Sequence, residues 1–255
     1  MSKRLKRLHV ICYKWGTAYP AEEVNILRAM VERNLTVPHD FCCITDDPRG
    51  LSPEIKVHKL PDFEFNGNWR KLYTFSPDFL GLNGEHVVSL DIDIVIVGNI
   101  DFLAEQPEKD FLIGRHTWSK TVRGHGAVYR LKVGSRTDIW KNFIADPAGS
   151  ITKYRHEQSN LFGEQNWFEQ HFESFDYFPE GKIVSFKHHC GARAWKLFGH
   201  TGARYGLTTA FFGTATIPQG AAIISFHGTP KPRDVMYKRH EYSRRAPFVA
   251  EHWRV

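Results

Sequence analysis

The chain has 255 residues, of which 42% are hydrophobic, 24% charged and 14% aromatic, with a formal net charge of +6. A chain of this length buries roughly 70–75% of its unfolded surface and needs no disulfide or metal staple, and its composition excludes a disordered polymer. No run approaches the ~18 apolar residues of a membrane span, the apolar stretch after the basic start is too short for a signal peptide, and four cysteines, two adjacent at Cys42 and Cys43, make no secreted disulfide pattern, so a reducing, cytoplasmic setting is expected.

Leu8–Tyr13 alternates and predicts a strand, followed by the loop Trp15-Gly16-Thr17. From Ala21 to Asn34 the apolar Val24, Leu27, Met30 and Val31 recur at threes and fours, with Glu22 and Glu23 early, which predicts an amphipathic helix with favourably placed charges. Phe41–Thr45 and Ile55–Leu60 read as strands and Asn68–Phe75 as a short helix. This strand, helix, strand opening is that of an α/β protein with ligands at the carboxyl ends of its strands. His86–Val97 reads as one strand buried on both faces. Phe111–Gly114, Ala127–Val133 and Ala221–Phe226 are further strands; Gly163–Phe172 is a helix, and Ser135 is expected to cap another through Phe143. No internal repeat and no Gly/Pro/Ser-rich linker is read, so one domain, 1–255, is expected, with a basic tail over 233–255.

The run His86–Val97 carries two carboxylates, Asp91 and Asp93. On one strand, residues two apart share a face, with Cα atoms roughly 6.5–7 Å apart. Two carboxylates in an apolar frame repel one another and are costly to bury. A hard divalent cation, Mn2+ or Mg2+, removes both costs and keeps positions open for phosphate oxygens. A chance Asp-x-Asp at a strand end is the plain alternative.

Four stretches carry a wider resemblance. Ser89-Leu-Asp91-Ile-Asp93-Ile-Val-Ile-Val-Gly98-Asn-Ile-Asp101-Phe-Leu103 resembles the LDxDxxVxGDL stretch of the glycogenin-like and bacterial galactosyltransferases, glycosyltransferase family 8. Gly126-Ala-Val-Tyr-Arg-Leu131 is similar to that family's NxGVMLxN strand, Glu164-Gln165 to its DQ pair, and Phe226-His227-Gly228-Thr-Pro-Lys231-Pro232 to its HFxGxxKPW close. The resemblance implies a GT-A fold, with a mixed central sheet flanked by helices. It implies transfer of a hexose from a nucleotide diphosphate sugar, UDP-linked, to a saccharide, lipid-linked or protein hydroxyl. Asp91 and Asp93 would hold Mn2+ or Mg2+. The family's metal-binding His aligns with Ser225, so His227, expected on the same strand face, is assigned as third ligand; the Trp of KPW is replaced by Arg233. Lys231 would meet the charge that develops on the leaving diphosphate, stabilising the transition state more than the ground state. Trp15, Thr17 and Asp46 would serve base and ribose, and Lys71 the diphosphate or sugar. Gln165 would lie near the anomeric carbon, with Glu164 orienting the acceptor; the plain reading of that pair is the opening of a helix.

Two other functions are weighed. A haloacid-dehalogenase-type phosphatase would use Asp91 as nucleophile, but no later acidic pair follows it, and Asp46-Asp47 lies upstream. A basic nucleic-acid-binding module rests on charge and aromatics alone, with no recognition motif, so no nucleic acid partner is expected. The tail from Lys231 is read, from its charge, as a candidate for peripheral contact with an anionic membrane. His188-His189-Cys190 lacks zinc-site spacing, and acceptor choice is assigned to Thr117–His125 and the chain after Phe172.

Overall fold

The computed structural model describes residues 4–117, 123–155, 163–192 and 213–255. Among them are nine strands: β1 (Leu8–Lys14), β2 (His39–Thr45), β3 (Lys56–Lys59), β4 (His86–Leu90), β5 (Ile94–Ile96), β6 (Phe111–Arg115), β7 (Gly124–Lys132), β8 (Ile183–Ser185) and β9 (Ile223–Ser225). The α-helices described are α1 (Ala21–Asn34), α2 (Thr137–Ala145), α3 (Pro147–Arg155), α4 (Gly163–Glu169), α5 (Phe186–His189), α6 (Pro232–Val235) and α7 (Pro247–His252). The chain divides into two compact units, Met1–Val24 with Val37–Ile92 and Phe102–Phe178, and Asn25–Thr36 with Asp93–Asp101 and Pro179–Val255.

The first unit is built on a six-stranded sheet of order β3-β2-β1-β4-β7-β6. β3, β2, β1 and β4 run parallel, and β7 is antiparallel to both β4 and β6. β1 and β4 are buried almost throughout, as their near-continuous apolar sequences require of central parallel strands. The segment expected as a short helix is a 3-10 helix, Gly67–Phe75. Together with α2 and α4 it supplies much of the aromatic content to the core: Trp69 stacks on Phe143 at 5.2 Å and Phe75 on Tyr129 at 5.9 Å. Ser135 does not cap α2; its Oγ donates to the Lys132 carbonyl at 2.7 Å and closes the turn after β7, and α2 starts two residues later. Arg130, on β7, is fully buried and donates to the carbonyls of Leu103, Glu105, Gln106 and Lys109, so one guanidinium satisfies a whole loop.

The second unit holds the three-stranded sheet β5-β9-β8. β8 and β9 are parallel, pairing Ile183 with Ile223, Val184 with Ile224 and Ser185 with Ser225. That register sets Ile183-Val-Ser-Phe186 beside the similar Ile223-Ile-Ser-Phe226. Helix α1 from Asn25 onward belongs here, with Leu27, Met30 and Val31 buried at the expected spacing. The basic tail is folded: Val235 and Val249 are wholly buried on α6 and α7, and Arg33 Nη2 donates to the carbonyls of His252 and Arg254 at 2.9 and 2.7 Å.

The expected strand His86–Val97 is two strands in two sheets. Leu90 pairs with Val128 of β7, whereas Ile94 pairs with Ser225 of β9. Asp91-Ile92-Asp93 lies between them outside either strand, so the period-two argument for a shared face does not apply.

Candidate functional site

In the first unit, three candidate residues follow directly on neighbouring parallel strands: Trp15 after β1, Asp46 after β2 and Asp91 after β4. The Gly16 N–H donates to Asp46 Oδ2 at 3.2 Å, and Arg70 Nη1 stands 4.0 Å from the same oxygen. Gly16 has φ +55°, a turn that glycine adopts without strain. The loop Trp15–Thr17 and Asp46 are therefore brought together as expected. Trp15 is half-buried against the aromatic core and Thr17 is exposed.

Lys71, near the middle of the 3-10 helix, is buried beneath Asp91. Its Nζ donates to Asp91 Oδ1 at 2.6 Å and to the Gly126 carbonyl at 3.3 Å. Burial works against its charge, but the carboxylates of Asp91 and Glu164 outweigh it and hold the ammonium well above the usual lysine range. Glu164 is itself buried, and that burial raises its carboxyl pKa even with Lys71 near it.

Glu164 and Gln165 open α4, as the plain reading has it. Gln165 Oε1 accepts from the Gly126 N–H at 3.1 Å, and its Nε2 donates to the Gly124 carbonyl and, at 3.3 Å, to Glu169 Oε1. Glu169 accepts from the Gly124 N–H at 2.9 Å. Gln165 thus clamps α4 to β7 with both ends of its amide. A side chain on Gly126 would place its Cβ 3.2 Å from Gln165 Oε1, so the amide would have to shift by a few tenths of an ångström.

In the second unit, Asp93 is buried and Lys231 Nζ donates to its Oδ2 at 2.5 Å. The Phe226 N–H donates to the Asp93 carbonyl at 3.1 Å, and the Lys231 N–H to Asp234 Oδ2 at 2.8 Å, which fixes the loop before α6. His227 lies beyond β9, not on it, so its expected strand face is corrected. Its Nε2 shares a 2.8 Å hydrogen bond with Ser185 Oγ. Among the described residues no group of three or more His, Cys, Asp or Glu side chains gathers as a metal site. The donor chemistry of Asp91 and Asp93 nevertheless fits a hard divalent cation, since both offer carboxylate oxygens.

Ser185, Lys187 and Glu169 do not emerge from the sequence, and His188 does so only in a run without zinc-site spacing. For Ser185 and Lys187 a signal is present, in the likeness that aligns Ser185-Phe186 with Ser225-Phe226. Glu169 carries no motif of its own: besides Gln165 one helical turn before it, its partners are the Arg123 and Gly124 N–H groups, 46 and 45 residues away. Of the expected acceptor region, residues 118–122 and 193–212 lie outside the described residues.

No protein-family model matches the chain, and no curated protein does. Solved structures do. That of the glycosyltransferase GlyE from Streptococcus pneumoniae TIGR4 superposes with a TM-score of 0.58 at 14% identity, over 98% of this chain and 60% of that one. A structure of the galactosyltransferase LgtC, in complex with donor and acceptor sugar analogs, gives 0.58 at 11% identity, over 95% of this chain and 94% of that one. The chain spans about three fifths of GlyE and nearly all of LgtC. At these identities the likeness shows the fold, and the mixed α/β GT-A architecture expected from the motifs is the one found.

Proposed function

We propose that this chain is a glycosyltransferase that moves a hexose from a UDP-linked sugar to a hydroxyl acceptor, whether saccharide, lipid-linked or protein. The observation that supports it most is the alignment of Trp15, Asp46 and Asp91 at the carboxyl ends of β1, β2 and β4, beside the point where the strand order turns. Open α/β sheets bind their ligands there. LgtC, whose fold this chain shares, was crystallised with donor and acceptor sugar analogs.

In this reading Trp15, Thr17 and Asp46 serve base and ribose, and Lys71 holds Asp91 in place at any pH the enzyme meets. Asp91, Asp93 and His227 would hold Mn2+ or Mg2+, which supplies positive charge for the diphosphate when bound. Lys231 adds its ammonium where negative charge grows on the departing nucleoside diphosphate. Gln165 acts through the β7 backbone that it clamps, and Glu164 orients the acceptor hydroxyl. Contact of the basic segment after Lys231 with an anionic membrane, in a cytoplasmic setting, belongs to the same proposal.

Calorimetric titration with UDP, then GDP, with and without Mn2+, tests it. The expected result is metal-dependent binding that Asp93→Ala abolishes while the variant stays folded. Binding of neither nucleotide by the wild type would overturn the assignment, and an aspartyl-phosphate trapped on Asp91 would point to a phosphatase.

A further inference from the structure

Beyond β8 and β9 two segments leave the sheet side by side and are fastened together. Phe186 stacks on Phe226 with ring centroids 4.3 Å apart and planes 15° from parallel. His188 stacks on His227 at 5.8 Å and 11°. Ser185 Oγ and His227 Nε2 share a hydrogen bond, and the Ser185 N–H donates to His189 Nδ1 at 2.9 Å.

The consequence falls on Lys187, between the two stacked positions. Its Nζ lies 3.5 Å from where a Cβ on Gly228 would stand. Gly228 has φ +66°, so the position suits glycine and keeps the backbone bare beside that ammonium. Three residues on, Lys231 reaches Asp93, which enters β5 next to the end of β9. Lys187 from one segment thus lies against Gly228 of the other, and Lys231, three residues further along that second segment, reaches Asp93.

We infer that Lys187 is a second diphosphate-binding residue, which meets the phosphates of the nucleotide across Gly228 while Lys231 meets them from the other side. The inference rests on the function proposed above. Phe186 and His188, seated by their stacks on Phe226 and His227, position the stem of Lys187 beside Gly228, three residues before Lys231. A flexible ammonium loses less affinity for a phosphate when its stem is positioned in advance.

The test compares UDP, UMP and inorganic pyrophosphate by calorimetry on the wild type, Lys187→Gln, Lys187→Arg and His188→Ala, with thermal melts to establish folding. Loss of one charge-assisted contact should weaken UDP and pyrophosphate about tenfold or more. UMP should change by less than about twofold on the same arithmetic. Lys187→Arg should restore most of the loss, and His188→Ala, which frees the segment, should show a smaller loss of the same selectivity. If Lys187→Gln binds UDP and pyrophosphate as the wild type does, or weakens UMP equally, the inference is overturned. If the wild type binds pyrophosphate through Lys187 but no nucleotide, the anion site stands and the transferase reading falls. If it binds neither, both fall.

Discussion

Lys231 Nζ and Asp93 Oδ2 are 2.5 Å apart, so the carboxylate assigned to a divalent cation already has a protein cation on it. Two cations within reach of one carboxylate compete for it. Lys231→Gln should therefore strengthen Mn2+ binding to the nucleotide-free protein, by up to about tenfold if one charge-assisted hydrogen bond is at stake. The same variant should weaken UDP. Electron paramagnetic resonance of free Mn2+ measures the first effect and calorimetry the second; a fall in Mn2+ affinity would mean that Lys231 does not oppose the metal.

The pair Lys71–Asp91 should matter for stability as well as for binding. Lys71→Met removes a hydrogen bond between charged groups beneath a partly exposed carboxylate, and should cost about 1.5–3 kcal/mol in urea unfolding. The folded ammonium pKa is raised, so its contribution is complete below the unfolded value and fades only as pH climbs through the folded one. The difference between wild type and variant should therefore be constant from pH 6 to 9.

His86, at the start of β4, titrates in the opposite sense. Burial first, then the charge of Arg130, lowers its pKa to about 4 from 6.5. A depressed folded pKa means that the unfolded chain binds the proton first. The stability of neutral His86 is present above pH 6.5 and drains away as pH falls towards 4, by up to ~1.4 kcal/mol per pH unit. His86→Gln should flatten that limb of the acid-unfolding profile; an unchanged limb would assign it to other groups.

Arg130 makes the sharpest stability prediction. Arg130→Met keeps much of the bulk and takes the guanidinium from four carbonyls, of which that of Gln106 keeps the Lys109 N–H. Each buried acceptor left unmatched costs about 1–3 kcal/mol, so a loss of at least about 3 kcal/mol in denaturant titration is expected. Water entering the 103–109 loop would show as a smaller loss, with faster amide exchange there.

What the sequence discloses and what it hides have different physical causes. β1, α1 and β2 are legible because periodicity and burial are local and strong: Leu27, Met30 and Val31 sit where the spacing puts them. The break at Asp91–Asp93 is hidden because Val87–Leu90 and Ile94–Ile96 are equally apolar, and only their partners, Val128 and Ser225, tell the two strands apart. The carboxylates can be picked out as chemistry, but the lysines that hold them come from 20 and 138 residues away. Gln165 stands out beside Glu164, while its grip on the Gly124 and Gly126 backbone is a tertiary matter that no motif encodes.

The matched ends of β8 and β9 bear on folding fidelity. Each strand is three residues long, too short for ladder hydrogen bonds alone to fix an alignment. Slipping one strand by a single residue would turn Ser185 and Ser225 to opposite faces and part the Phe186 and Phe226 rings. Slipping it by two would keep the faces and still lose the ring pair and the Ser185–His227 bond. The repeated Ile-x-Ser-Phe therefore works as an alignment key, stabilising one pairing and penalising its nearest competitors, and it seats Lys187 opposite Gly228 each time the chain folds.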